Sequence, residues 1–338
     1  MQTRILPGTG PDLEASVEAL CAELESGGVV GLPTETVYGL AGDALNAAAA
    51  ARIFEVKERP FFDPLICHVP DFSWVDRLAH VPVKSRVLVE DLARAFWSGP
   101  LTLVLPRREC VPDLVSSGLP TVALRWSAHA LFTRVVARFG RPLAAPSANR
   151  FGRISPTTAV HVRSELGGRI RWILDGGPSA HGVESTIVAF ADSGLRVLRA
   201  GPVTREQLGG FAPVLPAVER HAAPGEGESS VVEAPGQIAS HYAPRTPLYL
   251  LEEGEPVGES VKECGLLAWR TAREGFARVE VLAPGGDARA GAACLFAALR
   301  RMDEAGLVRI YAEKPPRVGL GEAIHDRLRR AAAQWVGA

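Results

Sequence analysis

The chain has 338 residues, of which 47% are apolar and 22% charged, so it is too apolar for a disordered protein and can build a folded core. At roughly 150 residues per domain, this length predicts two domains. The 37 basic and 38 acidic residues give a net charge of -1, which excludes a broad basic face for a nucleic-acid backbone but not a local basic pocket.

The cysteines and the N-terminus indicate the compartment. Five scattered cysteines, never in a CxxC pair, argue against a disulfide framework and a cysteine zinc site. The N-terminus lacks the apolar stretch of a signal peptide, and no apolar run approaches the ~18 residues of a membrane helix. We therefore expect a soluble, cytoplasmic protein with no membrane partner and no protein-bound metal.

The first part of the chain alternates helical and extended patterns. Apolar residues at helical spacing predict helices over 12–26 and 47–56. Short apolar runs predict strands over 29–33, 64–69, 101–105, 121–125, 170–175, 185–190 and 196–199. Some of these strands are too close together for helical crossovers, so we expect an α/β fold with a mixed, twisted sheet.

A change in composition divides the chain. Residues 212–247 are rich in proline, glycine and small polar residues, which is typical of a linker, and they separate a domain over 1–211 from one over 248–338. In the second domain we predict strands over 248–251, 265–270, 279–282 and 308–312, and helices over 289–304 and 320–334. This alternation predicts a smaller, three-layer Rossmann-like α/β domain.

Common nucleotide and hydrolase motifs are absent. The chain has no GxxxxGK[ST] and no GxGxxG after a strand, so neither a P-loop nor a dinucleotide fold is supported. HExxH and GxSxG are absent as well. In GLPTETVYG, Thr34, Glu35 and Thr36 instead follow a buried strand, where α/β folds present polar groups to ligands. Threonines that satisfy their own turn are an equal alternative.

A second polar segment reads KERPFFDPLICH. Lys57 and Arg59 close a helix that Pro60 stops, and Asp63 and His68 follow. Cations at the C-terminal end of a helix also interact favourably with the helix dipole, which is the alternative. However, two cations, a carboxylate and an imidazole on one loop suit a polyphosphate. We expect this loop to reach solvent.

Three later segments add further polar groups. In APSANRFGRIS, Ser147, Asn149 and Ser155 suit a ribose or phosphate, although an ordinary turn with Ser155 as a helix cap is the alternative. The glycines of DGGPSAHGVESTIV permit close backbone approach before a strand that opens at Ser185. Arg199, in LRAGP, is a cation at a strand end.

Together, PTETVYGL, KxRPxxxPLIxH, APSAN, GVESTIV and LRxGP resemble the threonylcarbamoyl-AMP synthase family in its long form, with a YrdC-like domain, a linker and a C-terminal domain. The resemblance extends to SHYAP at 240–244 and to GLGEAIHDRLRRAA near the C-terminus. Two positions depart from the family pattern. Asp63 stands where asparagine is common, which puts one nucleotide contact in doubt, and Ala200 stands where proline is common.

The resemblance implies a nucleotidyltransferase with a concave, positively charged cavity. The family condenses L-threonine, bicarbonate or CO2, and ATP, with Mg2+, into threonylcarbamoyl-AMP and pyrophosphate. A downstream threonylcarbamoyl transferase then modifies adenosine 37 of tRNA, and weak RNA binding by the cavity is left open. No residue is an obvious general base, so we expect positioning and electrostatic stabilisation to dominate.

Site residues follow from the matched motifs. The threonine pocket is expected to include Thr34, Thr36, His68, Arg125, Ala145 and Ser185, with Arg125 on the carboxylate. The ATP site is expected to include Lys57, Arg59, Asp63, Thr121, Ser147, Asn149, Ser155 and Arg199. Lys57 and Arg59 are the expected catalytic cations. His241 and Tyr242 of the linker are expected to close over the site, the alternative being that the linker is only a tether.

Two rival functions are retained. A double-stranded RNA-binding module without catalysis would use the same basic cavity, although the net charge of -1 counts against it. A carbamoyl transferase of hydrogenase maturation uses a similar domain, but it would also carry acylphosphatase and CxxC zinc segments that this chain lacks.

Overall fold

The computed structural model describes residues 1–216, 233–237, 241–257 and 260–333. Parts of the predicted linker, 217–232 and 238–240, lie outside the described residues, as does the last residue of the helix predicted over 320–334. The described chain folds into two packed units, each built on its own sheet. None of the helices within these ranges is both long and apolar enough to span a membrane.

The sheet of the first unit contains, in the described residues, β1 (Arg4–Pro7), β2 (Val30–Leu32), β3 (Gly39–Asp43), β4 (Ile66–His68), β5 (Leu101–Pro106), β6 (Thr121–Arg125), β7 (Leu143–Ala144), β8 (Trp172–Asp175), β9 (Thr186–Ala191) and β10 (Gly194–Arg199). Their order across the sheet is β1-β8-β2-β3-β7-β4-β6-β5-β9-β10. Because β4 and β6 pair in parallel and β5 and β6 pair antiparallel, the predicted mixed sheet is confirmed.

The helices of this unit are α1 (Leu13–Glu25), α2 (Ala47–Lys57), α3 (Val75–Leu78), α4 (Arg86–Phe96), α5 (Asp113–Ser116), α6 (Ala130–Phe139), α7 (Ala159–Leu166) and α8 (Arg205–Gly209), with 3-10 turns at Phe72–Trp74 and Val83–Ser85. Helix α2 matters most for the site. Asn46 caps its first turn by accepting from Ala48 and Ala49 N–H groups, and Glu58 ends it in the left-handed region at φ 55°. That reversal turns the chain into the loop that carries Arg59.

The second unit has a four-stranded parallel sheet, ordered β11 (Leu248–Leu251), β14 (Arg309–Glu313), β12 (Cys264–Ala268) and β13 (Arg278–Val281), with helices α9 (Ala288–Asp303) and α10 (Leu320–Ala332). The predicted small Rossmann-like α/β domain is confirmed. The three-layer expectation is wrong, because α9 and α10 pack against each other on one face. Loop residues Val257, Val261 and Phe276 cover the other face, since the described parts of the connections between β11, β12 and β13 contain no helix.

The two units share a buried apolar cluster. Val37 and Val183 of the first unit lie in the same cluster as Phe296 of α9. Gly182 permits this approach: its φ is +67°, and a Cβ there would lie 2.3 Å from the carbonyl oxygen of Ala292. The second unit therefore packs directly behind the GVEST segment.

Three strands were missed by the sequence analysis: β1, β3 and β7. Strand β3 reads GLAGD, with two glycines and no β-branched residue, and β7 has only two residues, so propensity marks neither. The first residues of the predicted linker also behave differently from a tether. The Leu215 N–H donates to the Leu195 carbonyl at 2.8 Å, so the chain leaves the first sheet only after residue 215.

Candidate active site

A cavity lies between the first sheet and the described part of the linker. Strands β7, β4 and β6 are consecutive in the sheet, and they bring Ala145, His68 and Arg125 to its wall. The predicted site residues that line the cavity are Thr34, Thr36, Arg59, His68, Arg125, Ala145, Ser147, Arg199, His241 and Tyr242. The five motifs therefore converge on one place.

The two threonines of the first motif have different roles. The Thr34 hydroxyl donates to the Val37 carbonyl at 2.6 Å and accepts from the N–H groups of Thr36 and Val37. Because its single proton is used, Thr36 must be the donor in the 2.8 Å contact between the two hydroxyls. Thr34 is thus consumed by its own turn, whereas the oxygen of Thr36 keeps acceptor capacity toward the cavity.

Arg125 is held by a residue that the sequence analysis quoted without a role. Its Nη2 donates to Glu35 Oε1 at 2.7 Å, and Ser127 donates to the other Glu35 oxygen. Burial alone raises the pKa of Glu35, but the Arg125 guanidinium and the Ser127 hydroxyl outweigh burial and lower the pKa to about 2. Glu35 is therefore ionised, and it fixes the orientation of the cation that points into the cavity.

His68 is a buried imidazole in the cavity wall, 1% exposed. Burial first and the nearby Arg125 second lower its pKa to about 3, so the ring is neutral at neutral pH. Its ring lies 4.9 Å from that of Phe132, and neither ring nitrogen has a hydrogen-bond partner among the described residues. A buried polar group without a partner in a cavity wall indicates a ligand contact.

Lys57 does not lie on a solvent-reaching loop, so that expectation is wrong. Its side chain is 1% exposed, and its ammonium donates to the backbone carbonyls of Ser147 and Asn149. Burial, followed by repulsion from Arg59, lowers the pKa of Lys57 well below its usual range. The physical reason is that α2 ends beneath the APSAN loop, so this lysine supports the cavity wall from behind.

Arg59 is buried as well, which corrects the same expectation, but it does line the cavity. Its Nη2 lies 2.8 Å from Asp63 Oδ2 and also donates to the Pro64 carbonyl, while its Nε donates to the Asp63 carbonyl. The Asp63 carboxylate accepts no hydrogen bond of good geometry from any described residue, and burial raises its pKa. Asp63 thus acts on the cavity through Arg59 and does not itself line it.

Arg199 lines the cavity, and Ser185 holds it there. Arg199 Nε and Nη2 donate to the carbonyl and the hydroxyl of Ser185, each at 3.0 Å. The Ser185 hydroxyl also lies 2.8 Å from the hydroxyl of Thr102, and Ser185 does not line the cavity. Burial lowers the pKa of Arg199 to about 10, which still leaves it charged at neutral pH.

Three other predicted residues lie away from the wall. Ser155 does not cap α7, because Thr158 does so; its hydroxyl donates instead to Glu184 at 2.5 Å. Asn149 donates to two carbonyls of its own loop, which leaves its buried Oδ1 unpartnered. Thr121 begins β6, about 13 Å along the strand from Arg125, and the structure does not bring it to the cavity.

The described linker residues close one side of the cavity. Tyr242 is 1% exposed at φ 65°, and its ring stacks on Phe296 of α9 at 5.5 Å. His241 is buried between the rings of Phe151 and Tyr242. Gly236 faces the same tyrosine, since a Cβ there would lie 2.8 Å from the Tyr242 hydroxyl. Ser240 of the SHYAP motif is outside the described residues.

Several lining residues were not predicted from the sequence, among them Glu184, Pro235 and Gly236. Glu184 lies inside the GVEST motif, so a carboxylate within a matched motif could have indicated it as a site residue. In the described residues no group of three or more His, Cys, Asp or Glu is arranged to hold a metal ion. Glu35, Asp63 and Glu184 are each paired with an arginine instead.

Buried arginines around one cavity of a mixed α/β unit are typical of an enzyme that handles anionic substrates. Family models match nearly the whole chain. The model of the Sua5, YciO and YrdC proteins, described as "Telomere recombination", matches residues 22–201, and "Threonylcarbamoyl-AMP synthase, C-terminal domain" matches 203–333.

Individual relatives agree. The chain is 38% identical over 317 residues to the threonylcarbamoyl-AMP synthase of Pyrococcus abyssi, covering 91% of each chain. It is 39% identical over 336 residues to that of Bacillus subtilis, covering 94% of this chain and 92% of the relative. The solved structure of P. abyssi Sua5 complexed with L-threonine superposes with a TM-score of 0.86 at 35% identity and covers 98% of both chains.

The chain belongs to the threonylcarbamoyl-AMP synthase family, and it is an enzyme of the nucleotidyltransferase type. The resemblance inferred from the five motifs is confirmed. Family membership favours a threonylcarbamoyl-AMP synthase over both rival functions.

Proposed function

We propose that the cavity binds ATP and L-threonine side by side and joins them through CO2 or bicarbonate to form threonylcarbamoyl-AMP and pyrophosphate. The observation that carries this proposal is that Arg59, Arg125 and Arg199 all line one cavity. ATP is an anion and L-threonine is a zwitterion, and buried cations attract such groups more strongly than exposed ones. The P. abyssi relative solved with L-threonine supports the amino-acid half of the proposal.

The threonine half is assigned to Arg125, Thr36 and His68. One edge of the Arg125 guanidinium is held by Glu35, so another donor is left to bind the threonine carboxylate. The free acceptor of Thr36 and the unpartnered, neutral imidazole of His68 suit the threonine hydroxyl and amine. Thr34, Ala145 and Ser185 shape this half through their own local contacts.

The nucleotide half is assigned to Arg59, Arg199 and Ser147. The two guanidiniums suit a triphosphate, and Lys57, Asp63, Asn149 and Ser155 hold the loops behind them. We propose that Mg2+ enters as part of the MgATP substrate, bridging phosphate oxygens. Thr121 is retained only as a contact of the outer part of the nucleotide.

The reaction needs no covalent enzyme intermediate. The neutral threonine amine attacks CO2 and loses a proton, which gives a carbamate. A carbamate oxygen then attacks the α-phosphorus of ATP, and the bond to the β-phosphate oxygen breaks as pyrophosphate leaves with its electron pair. Lys57 stands behind the wall, and the His241 imidazole is packed between two aromatic rings, so we assign positioning and charge stabilisation as the main contribution of the protein.

The described linker residues act as a lid. Residues 233–237 and 241–243 lie across the cavity, where the Ala243 N–H donates to the Gly152 carbonyl at 2.8 Å. Tyr242 lines the cavity and is 1% exposed, so we propose that this segment opens to admit substrates and closes again. Closure excludes water from the carbamate and from the product, both of which hydrolyse.

The product is proposed to pass to a threonylcarbamoyl transferase that modifies position 37 of tRNA, in the cytoplasm. The decisive experiment is mass spectrometry of reactions containing ATP, L-threonine, bicarbonate and Mg2+, with each reactant omitted in turn. We expect threonylcarbamoyl-AMP and pyrophosphate only in the complete mixture. Salt-sensitive binding of duplex RNA without ATP consumption would contradict the proposal and favour the RNA-binding alternative.

A further inference from the structure

Arg327 lies in the middle of α10 in the second unit, yet its guanidinium serves the first unit. It is completely buried, at 0% exposure. Its Nε donates to Glu184 Oε2 at 2.8 Å, and its Nη2 donates to the Ala200 carbonyl at 2.9 Å. Only Nη1 stays within its own helix, on Asp326. The second unit therefore supplies a cation to the GVEST segment that forms the cavity wall.

Glu184 is the group that this cation fixes. It lines the cavity, and its Oε1 accepts from Ser155 while its Oε2 accepts from Arg327. Burial alone raises the pKa of Glu184, but Arg327 and Arg199 lower it, so the carboxylate is ionised. If Arg327 were absent, this carboxylate would lose its closest cation in a buried site.

The same guanidinium also touches the lid. Its central carbon lies 5.2 Å from the centre of the Tyr242 ring, and Phe296 of α9 stacks on that ring at 5.5 Å. Cations over an aromatic face attract it, more strongly where water is absent. Tyr242 is thus held between two side chains of the second unit, and one of them is also bonded to the cavity wall.

A second buried arginine offers a comparison. Arg300 of α9 is 6% exposed and also crosses between the units: its Nη1 lies 3.0 Å from Glu165 Oε1, and its Nη2 donates to the Ile154 carbonyl. Neither Glu165 nor Ile154 lines the cavity. Both arginines therefore join the two units, but Arg300 does so through residues that do not line the cavity.

We infer that Arg327 is a positioning residue of the active site: it locks the Glu184 carboxylate and the Tyr242 ring in the closed geometry, so that the second unit completes the cavity. This role gives the C-terminal domain a function beyond docking. The catalytic part of the inference rests on the proposed function, since it concerns the same cavity.

The test compares Arg327→Met, Arg327→Lys and Arg300→Met in the full-length protein. We expect kcat/KM for ATP to fall at least about tenfold in Arg327→Met and less than about threefold in Arg300→Met. Arg327→Lys keeps the charge with fewer donors, so it should recover part of the loss. Equal effects of Arg327→Met and Arg300→Met would overturn the inference.

Two further measurements keep the test decisive. Because Arg327→Met leaves Glu184 unpaired and could unfold the chain, Arg327→Met is also combined with Glu184→Gln. This double variant should be about as thermally stable as Arg300→Met, but its kcat/KM for ATP should remain low. A wild-type kcat/KM in the double variant would overturn the inference.

Amide hydrogen exchange of residues 241–243 reports on the lid without any turnover. It should speed up in the Arg327 variants and stay slow in Arg300→Met; unchanged exchange would overturn the inference. A wild-type protein that makes no threonylcarbamoyl-AMP, but still shows this difference, would instead contradict the proposed function alone.

Discussion

Arg125 donates a 2.7 Å hydrogen bond to Glu35, a residue 90 positions earlier in the chain. The guanidinium proposed to bind the threonine carboxylate therefore meets its substrate from a fixed orientation. Both side chains are buried, at 3% and 8% exposure, so the pair is shielded from solvent. A preorganised cation costs little to orient when the substrate arrives.

Replacement of Glu35 by glutamine should destabilise the fold and weaken threonine binding. The pKa of Glu35 is about 2 in the fold, against about 4.3 for a free glutamate, so its contribution is of order 3 kcal/mol above pH 5. Because the folded pKa is depressed, this contribution is lost as pH falls toward 2. The free energy of unfolding, measured by urea denaturation at several pH values, should differ most between wild type and Glu35→Gln at pH 7. This difference should shrink below pH 4.

The control for this experiment is Glu252→Gln, which removes an exposed ion pair with Lys314 and should change stability little. A gap between wild type and Glu35→Gln that is constant from pH 7 to pH 2.5 would contradict the assigned pKa.

Thr36→Val should relax the choice of amino acid. The Thr36 oxygen is the acceptor left free in its turn, so its loss removes a partner for the threonine hydroxyl. We expect wild type to prefer L-threonine over L-valine strongly, and the variant to lose about tenfold of that preference. The measurement is kcat/KM for pyrophosphate release with each amino acid.

Thr186→Val is the matched control, since that buried hydroxyl donates to the Val203 carbonyl outside the cavity wall. It should lower stability but keep the preference for threonine. Equal selectivity in Thr36→Val and wild type would remove Thr36 from the threonine pocket.

The sequence predicted local elements better than long-range partners. Strands β6 and β11 were predicted with their observed bounds, because apolar runs between turn residues mark them. Strand β3 was missed because its glycines carry no strand signal. The motifs that line the cavity were found because several polar residues stand together in each.

Partners far apart in the chain were not predictable. Glu35 and Glu184 stood inside quoted motifs, but their arginines lie 90 and 143 positions away, and one sequence carries no signal for such pairs. The burial of Lys57 was missed for a related reason. A lysine at a helix end is normally exposed, and only the packing of α2 beneath the APSAN loop buries it.

Substitutions of Arg59 and Asp63 should have coupled effects on the free energy of unfolding but not on activity. Arg59→Met leaves the Asp63 carboxylate buried and unpaired, which should cost about 3–5 kcal/mol. Adding Asp63→Asn, the residue common in the family, should restore at least about 1 kcal/mol of this loss. Pyrophosphate release should stay low in the double variant, because the guanidinium proposed for the phosphates is still missing.

Asp63→Asn alone serves as the control and should keep most activity. The measurements are urea denaturation of the four proteins at pH 7 and pyrophosphate release under saturating ATP. Strictly additive losses in stability would mean that the 2.8 Å contact carries no energy. Recovery of turnover in the double variant would remove Arg59 from the phosphate site.

Gly236→Ala should impair closure of the lid. The φ of Gly236 is +79°, and a Cβ would lie 2.8 Å from the Tyr242 hydroxyl and 3.2 Å from Arg199 Cδ. The tyrosine cannot retreat, because its ring is stacked on Phe296. We therefore expect turnover to fall about tenfold with little change in melting temperature, since the strain is confined to the lid.

The more specific readout is the yield of threonylcarbamoyl-AMP per pyrophosphate released. A lid that closes poorly admits water, so this ratio should fall in Gly236→Ala as carbamate and adenylate are hydrolysed. Gly209→Ala is the matched control, because a Cβ at that glycine meets no atom within 4 Å. If both variants gave the wild-type ratio and rate, residues 233–237 would be a tether rather than a lid, and water would have to be excluded by the cavity wall alone.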